Sequence, residues 1–358
     1  MLRPRDAVRN LKQYHPPLGN RQGLRLDFNE NTLGCSPKVL QRFRELDAEQ
    51  FARYPDRDPA EKTVANHLGI DPGEVLLTNG TDEAIHLVCE TYLQPGDEAL
   101  VVVPTFSMYE IYAAATGARV VTIPAGEDFR FPTENVLEHL NPHTRFIAVA
   151  NPNNPTGALT SQPDLLRIAK AAHQAVLLVD EAYFEFCGET LIPGWRELPN
   201  LFVSRTFSKA YGLAGLRIGV LMGSAEQMHW VRRVSSPYNL NEAALSCLSE
   251  ALADQEYVRG YIADTCHGRD LLEQELRSWG VRYWPSEANF VLMHLGNLCP
   301  RFIGAMRERG ILVRDRSADY GCQGCVRITV GTAAQNERLL VALREVLAEL
   351  GLRETVAR

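Results

Sequence analysis

The chain has 358 residues, 45% of them hydrophobic and 23% charged, with a formal net charge of −7. That length points to two domains, with one large domain as the competing arrangement. The acidic balance excludes the bulk positive field of a general nucleic-acid binder; no run reaches the ~18 apolar residues of a membrane span, and eight cysteines are too dilute for a disulfide framework.

The opening stretch, MLRPRDAVRNLKQYHPP, lacks the apolar core of a signal peptide. With thiols expected to stay reduced, the expected location is the cytoplasm. Short apolar runs at 75–78, 99–103, 119–123, 146–150, 176–179, 201–204 and 218–222 read as strands. Several are apolar throughout, as strands covered on both faces are. Helical patterns lie between them. Residues 82–92 place Ala84, Ile85, Val88 and Cys89 at helical spacing, 107–116 ends at Gly117, and 162–174 sends Leu165, Leu166, Ile168 and Ala169 to one side. This alternation predicts an α/β domain with a mostly parallel sheet between helices, whose ligands sit at the carboxyl ends of the strands.

The last hundred residues read differently. A helical pattern fills 241–280 with a break near Gln255, followed by a strand at 288–294, a helix at 302–309, strands at 311–314 and 326–330, and a helix at 336–350 with Gly351 as its stop. This predicts a smaller α+β domain. The expected division is an N-terminal segment, 1–40, joining the small domain, a large domain over 41–255, and a small domain over 256–358.

Four motifs carry chemistry. Asp180 ends the apolar run VLLVD, where a charge is poorly explained by packing, although a helix cap or a core ion pair is the plain alternative; Tyr183 is close enough to face the same pocket. Lys209 sits in SRTFSKAYGLAGLRIG, 204–219, among Thr206, Ser208, Gly212, Gly215 and Arg217. Hydroxyls, a glycine-rich turn and an arginine suit a phosphate, and a lysine beside a phosphate suits imine chemistry. NPNNPTG, 151–157, holds Asn153 and Asn154 on a stiff loop after a strand. TNGTDEAI, 78–85, opens a helix whose free N–H groups would face an anion, unless Thr81 or Asp82 is simply its cap. Taken together, these motifs call for a ligand with a phosphate, an aldehyde, a basic ring nitrogen and a ring hydroxyl. Pyridoxal 5′-phosphate meets all four requirements. Cys322 and Cys325 form a lone CxxC with no second pair, so no metal site is expected.

The chain resembles the fold-type I, class II pyridoxal-phosphate-dependent aminotransferases, and within them the histidinol-phosphate branch. The resemblance rests on NENTLGCSP (29–37), YPD (54–56), NGTDEAI, PTFSMY (104–109), NPNNPTG, DEAYFEF (180–186), the run around Lys209, SPYNLN (236–241), EANFVL (287–292), GILVRD (310–315) and RITVGT (327–332). It implies a large domain with a mostly parallel seven-stranded sheet and a homodimer with shared active sites. Lys209 would form the imine with the cofactor and shuttle the proton. Asp180 would pair with the ring nitrogen, Asn154 and Tyr183 with the ring oxygen, and Phe106 would stack on the ring. Gly80, Thr81, Asp82, Thr206, Ser208 and Arg217 would hold the phosphate, with Tyr54 reaching the neighbouring subunit's cofactor. Arg327 would take the substrate anion, helped by Arg314 and Tyr14. The implied substrates are histidinol phosphate and glutamate or 2-oxoglutarate. Glutamate presents an α-carboxylate and histidinol phosphate a phosphate, so one anion site serves both. An aromatic aminotransferase and a threonine-phosphate decarboxylase remain open within the fold, and a non-catalytic regulator outside enzyme chemistry. The 8–17 stretch and NENTLGCSP favour histidinol phosphate.

Overall fold

The computed structural model describes residues 2–11, 13–14, 21–126 and 128–352; Lys12 and residues 15–17 of the N-terminal motif lie outside the described residues. The strands are β1 (Leu24–Arg25), β2 (Val75–Thr78), β3 (Glu98–Val103), β4 (Arg119–Pro124), β5 (Thr144–Ala150), β6 (Val176–Asp180), β7 (Leu201–Thr206), β8 (Gly219–Met222), β9 (Tyr283–Trp284), β10 (Phe290–His294), β11 (Ile311–Leu312), β12 (Arg314–Asp315) and β13 (Cys325–Thr329). Seven of them form the central sheet in the order β2-β8-β7-β6-β5-β3-β4. Its pairs are parallel except those made by β8, which runs antiparallel to both β2 and β7.

Successive side chains of a strand point to opposite faces, and both faces of this sheet are buried. Leu177, Val179 and Val203 pack on one side against helices Asp58–Leu68, Gln162–Ala171 and Glu242–Ala253. Leu178, Phe202 and Leu221 pack on the other, against Gly80–Tyr92, Met108–Thr116 and Ala225–Arg232. A separate core gathers Leu26, Leu272, Val291, Phe302, Ile328 and Leu343. There β12, β13, β10 and β9 form an antiparallel sheet, and β1 of the N-terminal segment pairs in parallel with β11.

Several expected boundaries move. The helix expected over 82–92 begins at Gly80, so Thr81 and Asp82 lie in its first turn rather than at its cap. The helix expected over 162–174 stops at Ala171, where Asn200 Nδ2 bonds the carbonyls of Ala169, Ala172 and Ala175. The strand expected over 311–314 splits at Val313, because β11 pairs with β1 while β12 pairs with β13. The last helix, Ala333–Glu349, starts three residues early behind a Thr332–Gln335 capping box. Helices Pro37–Arg44, Asp58–Leu68, Thr133–His139 and Ala225–Arg232 were not expected from the sequence. No helix of the described residues is long and apolar enough to cross a membrane.

The reversal at β8 places the site. Gly219 lies opposite both Thr78 and Thr206, so the chain entering β8 arrives at the carboxyl edge of the parallel strands, carrying Arg217 with it. A Cβ on Gly219 would stand 2.8 Å from Gly80 C and 2.9 Å from Thr81 N, both fixed backbone. Gly219→Ala should therefore cost about 1–3 kcal/mol by overpacking and loosen the start of helix Gly80–Tyr92. Denaturant unfolding checks this, and a variant as stable as the parent would contradict it.

Candidate active site

The predicted residues collect at that edge. Gly80–Asp82 follow β2, Phe106 follows β3, Asn154 follows β5, Asp180 ends β6, and Thr206, Ser208 and Lys209 lie at or after the end of β7. β13 brings Arg327 and β12 brings Arg314 from the smaller sheet.

Asp180 is buried, and its two oxygens differ. Oδ2 accepts a 2.7 Å hydrogen bond from the Tyr109 hydroxyl, while Oδ1 is buried without a partner. Burial pushes this carboxyl up to about 6, against the opposing pull of the Tyr109 bond. Lys209 Nζ donates to the Phe28 carbonyl at 3.0 Å. Burial, then the nearby Arg327, holds its amine down at about 8. The Tyr183 hydroxyl accepts from Asn29 Nδ2 at 2.9 Å, which leaves its own proton to donate.

Asn29 joins several elements. It adopts a left-handed φ of 54°, its N–H donates to Thr329 Oγ1 at 3.0 Å, and its carbonyl accepts from Asn289 Nδ2 at 3.2 Å. In this way the N-terminal segment and the smaller sheet hold Tyr183. Arg327 is buried; Nη1 donates to Asn154 Oδ1, Nη2 to the Asp27 carbonyl at 2.8 Å, and Nε has no partner. Burial and then Arg316 lower it to about 9, so it stays cationic at neutral pH. Arg314 Nη2 donates to the Tyr14 hydroxyl at 3.3 Å, and its Nη1 is buried and open.

At the first turn of helix Gly80–Tyr92, Asn79 supplies no side-chain cap. The N–H groups of Gly80, Thr81 and Asp82 are thus open to an anion. Gly80 has φ +73°, and a Cβ there would stand 2.6 Å from Arg217 Nη2, so glycine lets the guanidinium close in. Arg217 Nη2 also donates to Asp82 Oδ2 at 3.1 Å. Thr206 Oγ1 accepts from the Ser208 N–H at 3.1 Å, tying the two hydroxyl residues into one turn. Phe106 stands edge-on to Tyr109, with ring centroids 5.7 Å apart.

Tyr54 is not among these contacts. It is 80% exposed and stacks on Tyr238 with centroids 4.5 Å apart. Cys322 and Cys325 are fully buried free thiols packed with Phe129 and Leu292. No group of three or more histidine, cysteine, aspartate or glutamate residues among the described residues is arranged to hold a metal ion.

Tyr109, Asn29, Thr329 and Arg316 were not singled out as individual residues in the sequence. Tyr109 and Asn29 lie inside quoted motifs, but Tyr109 falls at core spacing on a helix, and Asn29 is explained only by its backbone angle and three distant partners.

Residues 21–343 match the sequence profile of aminotransferase class I and II. The histidinol-phosphate aminotransferase of Moorella thermoacetica is 34% identical over 361 residues, covering 96% of this chain and 93% of that protein. The histidinol-phosphate aminotransferase 2 of Pseudomonas fluorescens is 37% identical over 333 residues, covering 91% and 89%. The crystal structure of histidinol-phosphate aminotransferase from Sinorhizobium meliloti, in complex with pyridoxal 5′-phosphate, superposes with a TM-score of 0.87 at 25% identity, covering 98% and 99%. With a parallel-stranded α/β sheet, a lysine at its carboxyl edge and a profile match over nearly its whole length, the chain belongs to the class I and II aminotransferases.

Proposed function

We propose that this chain is a histidinol-phosphate aminotransferase of histidine biosynthesis. It would exchange the amino group between histidinol phosphate and 2-oxoglutarate, giving imidazole-acetol phosphate and glutamate, with pyridoxal 5′-phosphate as cofactor. The relatives' names support the reaction, and the residues fit the cofactor. Asp180 Oδ1, buried and unpartnered, needs a donor such as a protonated ring nitrogen. The open helix start beside Arg217 needs an anion. When bound, pyridoxal phosphate holds the amino group in transit and withdraws electrons from the substrate carbon that carries it.

The chain's own groups do the rest. Lys209 Nζ would hold the cofactor through its aldehyde carbon, the aldehyde oxygen leaving as water, and its amine, when free, would move the proton at the substrate carbon. Asp180 holds the ring-nitrogen proton. Tyr183 and Asn154 donate to the ring oxygen, Phe106 covers the ring face, and Gly80, Thr81, Asp82, Thr206, Ser208 and Arg217 hold the phosphate. Asp82 shares Arg217 with that phosphate.

One observation carries the substrate choice. Arg314 Nη1, Arg316 Nε and Arg327 Nε are all buried without partners. Among the described residues, Asp319, bonded to Arg316, is the single carboxylate in an ion pair with any of the three. Arg327 is buried, and a buried cation without a counter-charge is costly; half-buried Arg314 beside it has no carboxylate partner among the described residues either. A phosphate monoester, carrying about −1.5 to −2 at pH 7, balances it better than a single carboxylate. Arg327 and Arg314 would bind this group with Tyr14, and Arg327 would take the glutamate α-carboxylate in the other half of the cycle.

The exposed Tyr54–Tyr238 stack supports a homodimer in which Tyr54 reaches the partner's cofactor phosphate. The small unit, with β1 of the N-terminal segment paired to β11, would be the part that meets the substrate; the division proposed from the sequence lies at 41 and 256, and Val39, Val258 and Tyr261 beyond it pack into the larger core. A cytoplasmic location fits a biosynthetic enzyme whose thiols are free.

The experiment is the half-reaction. The yellow holoenzyme, mixed separately with histidinol phosphate, phenylalanine and threonine phosphate, should convert to the pyridoxamine form with a kcat/KM at least about 100-fold higher for histidinol phosphate, a preference of the size that differential binding supplies. A preference for phenylalanine, or release of carbon dioxide from threonine phosphate, would overturn the reading. Loading of apoenzyme with pyridoxal phosphate tests Lys209, since its neutral amine attacks the aldehyde. The loading rate should rise with pH and level off above about 8. A rise continuing toward the ordinary lysine value of about 10.4 would contradict the depressed amine.

A further inference from the structure

Nothing in the proposed reaction assigns a task to Tyr109, yet its placement is specific. It follows PTFSM at the start of helix Met108–Thr116 and is fully buried. Its hydroxyl donates to Asp180 Oδ2 at 2.7 Å, and Asp180 Oδ1 is left buried and open. The two oxygens of the carboxylate are thereby distinguished, one held by the protein and the other buried without a partner. Phe106 packs edge-on to the Tyr109 ring at 86°, so the residue proposed to cover the cofactor ring and the residue that fixes Asp180 brace each other at one helix start.

We propose that Tyr109 is a positioning residue that locks the Asp180 carboxylate and keeps it ionised, so that the free oxygen can hold a proton on the cofactor's ring nitrogen. The inference rests on the pyridoxal phosphate reading. A hydrogen bond donated to a carboxylate stabilises the charged form, and in a dry site it counts for more than in water. It also removes the carboxylate's rotational freedom. Burial works against Asp180's charge, and the neighbouring Asp82 works with burial. The Ser204 side chain and the backbone beside Ala182 also favour the charged form, and Tyr183 is the further titratable group close to Tyr109. Tyr109 itself remains protonated, since burial and the adjacent Asp180 push its phenol well above its ordinary value. It is therefore a permanent donor. Without it, the proton shared between ring nitrogen and carboxyl shifts toward the carboxyl.

The test is Tyr109→Phe in the full-length holoenzyme carrying cofactor labelled with ¹⁵N in the ring. In the parent, the ring nitrogen should give the signal of the protonated form at pH 7.5. In the variant, the signal should move toward that of the neutral ring, the cofactor should bind about 10-fold more weakly, and the half-reaction should slow about 10-fold, the loss expected for one charge-assisted hydrogen bond. A purely structural hydroxyl would lower the unfolding midpoint and leave the nitrogen signal in place. Should Tyr109→Phe fold poorly, 3-fluorotyrosine at position 109 preserves the shape and strengthens the donor. It should hold the ring nitrogen protonated to higher pH than the parent does. A parent that binds no cofactor would overturn both the function and this inference. A parent with a protonated nitrogen and variants indistinguishable from it would overturn the inference alone.

Discussion

Asp180, Lys209 and Arg327 carry charge where water is scarce, and burial drives each toward its neutral form: the carboxyl up to about 6, the amine down to about 8, the guanidinium down to about 9. The folded chain bears that cost before any ligand arrives. Asp180 has a folded value above its ordinary 3.8, so its cost appears as pH rises from there to about 6. Lys209 has a folded value below its ordinary 10.5, so its cost appears as pH falls from there to about 8. Near neutral pH both costs are fully present. The ligands that relieve them are the ones the chemistry uses: a protonated ring nitrogen, an aldehyde and an anion.

The fold gathers these groups at one edge from separate elements. Parallel strands deliver Asp180 and Lys209 to one edge, and the antiparallel β8 returns the chain to that edge with Arg217. The smaller sheet supplies Arg327 through β13, and Asn29 ties that sheet and the N-terminal segment to Tyr183. The proposed phosphate and substrate-anion sites thus each draw side chains from more than one element.

Much of this was legible in the sequence because buried parallel strands are nearly continuous apolar runs, and a charged residue at the end of such a run stands out. VLLVD and the stretch around Lys209 are of that kind. Boundaries were less legible where a local signal had two readings. Thr81 and Asp82 look like caps but lie inside a helix that begins at Gly80, a residue the close approach of Arg217 requires to be small. Tyr109 was hidden because an aromatic at helical spacing is normally core packing, and nothing local reveals that its hydroxyl meets a carboxylate 71 residues away. Arg316 was hidden because its significance depends on two other arginines brought in by a separate strand pairing.

Buried Arg327 and the half-buried Arg314 and Arg316 are proposed to select a phosphate. The most direct measurement is the ratio of half-reaction kcat/KM for histidinol phosphate to that for histidinol, the same amine without the phosphate. A site whose buried donors are left unpaired by the smaller substrate should discriminate by about 10⁴-fold. A ratio below about ten would mean that Arg314, Arg316 and Arg327 do not read that group, and would contradict the account.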